Sequence, residues 1–136
     1  MREDQLRLRN WSYNDYGAYN YRYSRGGNYY ETSQYGADLL RQAVNNGYDE
    51  GFRAGLADRQ DGWRGNYQDS DAYQDATFGY NGYYVGLGEY QYYFREGFRR
   101  GYEDGYYGRY QYGSYNNGTY SILGTILRSI LNFESY

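Results

Sequence analysis

Gly47-Tyr-Asp-Glu-Gly51-Phe-Arg-Ala-Gly55-Leu and Gly97-Phe-Arg-Arg-Gly101-Tyr-Glu-Asp-Gly105-Tyr are two copies of one pattern, and their reading decides the fold. Each copy is three tandem units of glycine, a large apolar residue and two mostly charged residues. In a helix, a period of four stacks Gly47, Gly51 and Gly55 on one face, and Gly97, Gly101 and Gly105 on another. A face without side chains lets a second backbone approach closely. Six glycines inside helices cost about 6 kcal/mol relative to alanine, a penalty that close packing has to offset. Small-xxx-small faces give such packing in membranes. The charged slots here put the same geometry in water, with Tyr and Phe sealing the seam. The competing reading is that the glycines leave both tracts as Gly/Tyr-rich coil.

Working outward, Leu40 and Val44 continue the first stripe, and Gly62 supplies a left-handed terminator. Tyr90 and Phe94 continue the second. Asp49 with Arg53, and Glu96 with Arg100, are favourable acid-to-base pairs four residues apart. The expected fold is therefore mainly α: a helical hairpin of helix 37–62 against helix 89–110, packed through its glycine faces, with a connector long enough for either direction and antiparallel the simpler choice. Between them, residues 63–88 form a Gly/Tyr-rich connector in which 69–78 reads as a short helix ended by Gly79.

The flanks read differently. Residues 1–35 form a poorly ordered, low-complexity Tyr-rich arm, with Tyr19, Tyr21 and Tyr23 alternating as in a short edge strand. Residues 36–112 hold the hairpin, and 113–136 a C-terminal amphipathic helix. In that last segment Ile122, Leu123, Ile126, Leu127, Ile130 and Leu131 make a doublet stripe that must bury one face, and an oligomer contact is the expected use.

Composition bounds the chemistry. Leu, Ile, Val and Phe number only 19 in 136 residues, so the 25 tyrosines must supply much of any core. The chain has no His, Cys, Pro or Lys, and all 14 basic residues are Arg. The commonest acid–base group, soft metal ligands, Schiff-base chemistry and disulfides are thereby closed. No metal or cofactor is expected. The start, Met1-Arg-Glu-Asp-Gln-Leu-Arg-Leu-Arg9, has no apolar signal run, which reads as cytoplasmic unless a leader is removed. No apolar stretch is long enough to span a bilayer.

The tract Tyr93-Phe-Arg-Glu-Gly-Phe-Arg-Arg-Gly-Tyr-Glu-Asp-Gly-Tyr106, and more faintly Gly47 to Asp58, resembles a loose group of uncharacterised bacterial proteins rich in Tyr, Gly and Arg. They share repeated G-[FY]-x-x-G tracts, and the likeness covers residues 47 to 112. It implies no activity or substrate.

Several constellations fall short of a site. Asp69, Asp71 and Asp75 begin like a calcium loop, but Tyr73, Gln74 and Tyr80 occupy ligand and glycine positions. Glu50, Glu96, Glu103 and Asp104 read as ion-pair partners of neighbouring Arg rather than a glycosidase pair. Gly79-Tyr-Asn-Gly82 and Gly86-Leu-Gly88 lack phosphate-loop spacing. Tyr19, Tyr21, Arg22, Tyr23 and Arg25 are the best candidates for stacking nucleic acid, yet a net charge of −3 speaks against that partner. The chain reads as a non-enzymatic structural protein that assembles with itself into a homo-oligomer or filament. The alternative is a binding module that stacks glycans or another polymer on exposed tyrosines.

Overall fold

The computed structural model describes residues 21–63, 65–80, 82 and 85–135. The expectation of a poorly ordered arm over residues 1–20 lies outside them. The fold is mainly helical, with two short antiparallel sheets. In chain order it runs β1 (Tyr21–Arg25), β2 (Asn28–Thr32), α1 (Gln34–Gln60), a 3-10 turn (Tyr67–Asp69), α2 (Asp71–Asp75), α3 (Leu87–Tyr107), β3 (Gly113–Asn116), β4 (Thr119–Ile122), α4 (Gly124–Ile130) and β5 (Glu134–Ser135).

The two long helices have well-made ends. Ser33 caps α1, its Oγ accepting from the Gly36 N–H at 3.1 Å. Gly62 follows with φ +73°, and the Trp63 N–H reaches back to the Asp58 carbonyl at 2.9 Å. Helix α3 ends the same way: Gly108 has φ +66° and the Arg109 N–H bonds the Asp104 carbonyl at 2.9 Å. Both are Schellman closures, which only a residue tolerant of the left-handed region completes cheaply.

Helices α1 and α3 approach each other closely at their glycines. A Cβ placed on Gly47, Gly51 or Gly55 would lie 2.0, 2.2 or 2.2 Å from the carbonyl oxygens of Phe94, Phe98 and Tyr102. Reciprocally, one on Gly97, Gly101 or Gly105 would lie 1.9, 2.1 or 2.1 Å from those of Val44, Tyr48 and Phe52. Both series ascend together, so the helices run parallel, and of the two directions the sequence leaves open the simpler, antiparallel one does not form. The connector is the reason: residues 61–86 are enough chain to return along a helix about 30 Å long. Residue n of α1 also matches residue n+50 of α3, which makes the pair internally two-fold in character. At each glycine, the hydrogen standing where a Cβ would be points at a carbonyl oxygen. Six such C–H···O contacts contribute about 3–6 kcal/mol, the same order as the helix-propensity cost of the glycines.

Four of the six residues following the glycines, with Phe94 one turn before Phe98, lie in the core. Tyr48, Phe52, Phe94, Phe98 and Tyr102 are buried, with Leu40, Ala43, Val44, Tyr90 and Tyr93 extending the row. The β3–β4 hairpin lies on α1, where Asn45 and Asp49 side chains accept from the Ile122 and Tyr120 N–H groups at 3.1 and 3.0 Å. The 67–75 segment lies on α3, with Arg95 donating to the Tyr73 carbonyl at 2.9 Å and Tyr73 against Phe98. Its helical part, α2, is shorter than the expected 69–78 and stops at Ala76, a buried residue in the left-handed region.

Both flanks depart from expectation, although Tyr21 and Tyr23 do lie in a short strand, β1, which is central in its sheet and not an edge. Residues 21–32 of the presumed arm form a hairpin, closed by Gly26 and Gly27 at φ +61° and +85°. Its sheet has the order β2-β1-β5, so the chain's C-terminal end returns to pair with β1. The expected C-terminal helix is confined to α4, because Asn117 and Gly118 (φ +51° and +83°) turn the chain and put Ile122 in a strand. The row Ile122, Leu123, Ile126, Leu127, Ile130 and Leu131 is thereby split. Ile122 and Leu131 are core residues; Ile126, Leu127 and Ile130 pack against that core half-buried. Leu123 is the exposed member, at 40%.

Candidate functional site

Phe52, the residue after Gly51, is the hub of an aromatic face that opens to solvent. Tyr110 stacks on it with centroids 5.4 Å apart and an interplanar angle of 18°, and Tyr120 at 3.9 Å and 13°. Tyr120 in turn meets Tyr115, its cross-strand partner on β3, at 4.7 Å. Arg53 fixes this face to the helix. Its guanidinium sits 5.1 Å from the Tyr120 ring centre, donates to the Gly118 carbonyl at 2.7 Å, and pairs with Asp49 at 3.2 Å. Tyr110 and Tyr115 remain 54% and 50% exposed. The sequence points to the Asp49–Arg53 pair but not to the tyrosines gathered around it, although Asn117-Gly118 between Tyr115 and Tyr120 is a type I′ hairpin signal.

A second cluster joins the N-terminal hairpin to α3. Glu89, in the first turn of α3, accepts from the Tyr23 hydroxyl and from Arg25. Arg25 lies 4.8 Å from the Tyr30 ring centre and 4.9 Å from that of Tyr92, a cation held between two π faces. Burial, reinforced by Glu89, pushes the Tyr23 and Tyr93 phenols far above their ordinary range. Among the described residues, the Tyr93 hydroxyl and Arg25 Nε are the buried side-chain groups with no hydrogen-bond partner.

The third polar centre is Asp104, fully buried. Its Oδ2 accepts from the Tyr48 hydroxyl at 2.7 Å and from the Tyr112 N–H at 2.8 Å, while Arg109 Nε approaches Oδ1 at 3.4 Å. One carboxylate thus ties α3 to α1 and to the start of the β3–β4 hairpin. Burial and this carboxylate hold the Tyr48 phenol well above its usual range, so it stays a neutral donor.

The other sequence candidates are placed as follows. Glu96 pairs with Arg99 and Arg100 at 3.1 and 2.9 Å, and Glu103 with Arg109 at 2.9 Å. Glu50 is half-buried, and its carboxyl is raised by burial and by neighbouring Asp49. Asp58 accepts from the Tyr102 hydroxyl, and Asp71 sits in the first turn of α2. No group of three or more Asp and Glu able to hold a metal ion occurs among the described residues. Of the nucleic-acid candidates, Tyr23 is buried, Arg22 pairs with Glu134 at 2.6 Å, and Arg25 with Glu89; Tyr19 lies outside the described residues. An open cleft of about 130 Å³ is lined by Gly65, Tyr67, Arg99, Tyr102, Glu103, Tyr106 and Tyr107. Among the described residues, no helix is long and apolar enough to cross a membrane.

Compared with known proteins, the chain matches no family model, no curated protein and no solved structure at a significant level.

Proposed function

We propose that this is a non-enzymatic structural protein whose activity is self-association through its aromatic and arginine-bearing exterior. In this reading the two glycine stripes act as a glycine zipper inside one chain, giving a rigid two-helix rod. The observation that supports it best is the set of large aromatics left on the outside: Tyr29 at 70% exposed, with Trp63, Phe78, Tyr107, Tyr110 and Tyr115. Tyrosine and tryptophan favour interfaces because a large apolar ring is presented with a polar handle and little rotamer entropy to lose. Leu123 adds the one exposed member of the C-terminal apolar row. Sedimentation and negative-stain imaging over a wide concentration range test the reading. Mass that grows with concentration to a discrete oligomer or fibre supports it; a monomer throughout rejects it.

The alternative is a module that binds glycans or another polymer. The open cleft favours it, since four tyrosines with Arg99 and Glu103 provide both stacking faces and hydrogen-bonding groups. Ligand-dependent tyrosine fluorescence from a stable monomer would select this reading.

A further inference from the structure

We propose that Tyr115 and Tyr120 form an oxidative cross-linking site that closes the β3–β4 hairpin as an intramolecular dityrosine. The two residues face each other across the ladder. The Tyr120 N–H is directed to Asp49 rather than to Tyr115, so theirs is a non-hydrogen-bonded pair, the kind in which opposed side chains stand closest. Their ring centres are 4.7 Å apart at 49°. That separation is little more than between two aromatic rings joined by a single bond, and the inclined planes suit a twisted biaryl. Half-exposed Tyr115 is accessible to an oxidant, whereas Tyr120 is held from behind by Phe52 and Arg53. A fixed partner next to an accessible one favours coupling within the pair over diffusion to another chain.

The reaction balances with hydrogen peroxide and a haem peroxidase as the oxidant. Each phenol gives up one electron and its hydroxyl proton to become a phenoxyl radical. The two radicals join through a new bond between ring carbons ortho to the hydroxyls. Loss of each ortho hydrogen as a proton to solvent and reprotonation of the phenolic oxygens restore both aromatic rings. The net loss is two electrons and two protons, which reduce one peroxide to two waters. In a chain without cysteine, such a bond would staple a local loop as a disulfide does elsewhere.

The test treats the full chain with peroxidase and peroxide, digests it at arginine and sequences the peptide covering residues 110–128 by mass spectrometry. The expected product is this peptide lighter by two hydrogens, with no backbone fragments resolved between positions 115 and 120. Tyr115→Phe should abolish it, Tyr29→Phe should leave it unchanged, and prior unfolding in urea should lower its yield several-fold. An unmodified peptide while dityrosine forms elsewhere would overturn the proposal. So would no dityrosine at all, or a link that persists in the Tyr115→Phe chain through Tyr110 or Tyr112. Because the cross-link is intramolecular, this outcome is independent of whether the protein self-associates.

Discussion

Gly97 lies so close to the carbonyl of Val44 that a methyl group on it would fall 1.9 Å from that oxygen. The contact is with backbone, so no rotamer change relieves it. Gly97→Ala should therefore destabilise the protein by about 2 kcal/mol or more, overpacking exceeding the helix-propensity gain of about 1 kcal/mol. Gly88→Ala is the control: it lies in the first turn of α3 with nothing near its added methyl, and should be neutral or stabilising by a few tenths of a kcal/mol. Denaturant midpoints of the two variants check the contrast, and equal midpoints would remove the close approach.

Asp104→Asn should cost about 2–4 kcal/mol, since an amide oxygen can accept from Tyr48 and Tyr112 but its NH2 then faces the Arg109 donor, which also loses its buried charge partner. Tyr48→Phe should cost about 1–1.5 kcal/mol, because Asp104 keeps the Tyr112 N–H. A double-mutant cycle in urea measures their coupling, and strict additivity would argue against the shared network.

Tyr93→Phe and Tyr23→Phe should differ in sign. The Tyr93 hydroxyl is buried without a partner, so its removal is neutral or stabilising. The Tyr23 hydroxyl donates to Glu89, so its removal leaves that carboxylate short of a donor and destabilises by about 1–3 kcal/mol. Thermal unfolding of the pair is sufficient to tell.

Stability should collapse in alkali. Burial raises the phenols of Tyr23, Tyr48, Tyr93 and Tyr102, aided at Tyr23 and Tyr93 by Glu89, at Tyr48 by Asp104 and at Tyr102 by Asp58. In the unfolded chain a tyrosine ionises near pH 10. Below that both states hold the proton and the contribution is complete. Above it the unfolded state releases protons that the native state retains, so stability falls as pH rises, by about 1.4 kcal/mol per pH unit for each group. Four groups give about 5–6 kcal/mol per unit, comparable to the whole stability of a small domain. Tyrosinate absorbance and circular dichroism should change together; smooth, independent tyrosine titration in a folded protein would contradict this.

The long helices were legible because they rest on a period-four pattern with terminators. Gly62 ends α1 as read, and α1 and α3 begin two or three residues before the expected positions. Their relative direction was not legible, since a connector of this length suits either. The hairpins were missed because Gly26-Gly27 and Asn117-Gly118 are turn signals hidden among 20 glycines. The C-terminal stripe misled for a related reason: Ile122 and Leu123 fit a helical period, but the turn before them sets strand geometry, and tertiary context decides such short segments. The Phe52 face was beyond reach, because its members come from residues 52, 110, 115 and 120 and meet only once β3–β4 folds onto α1.

Because α1 and α3 point the same way, their peptide dipoles add instead of cancelling. The molecule therefore has an electropositive end, where Glu89 is set, and an electronegative end, where Arg59 donates to the Tyr106 carbonyl at 2.7 Å and Arg109 lies beside Asp104. Copies joined end to end would align head to tail, and any strand built from them would have a direction.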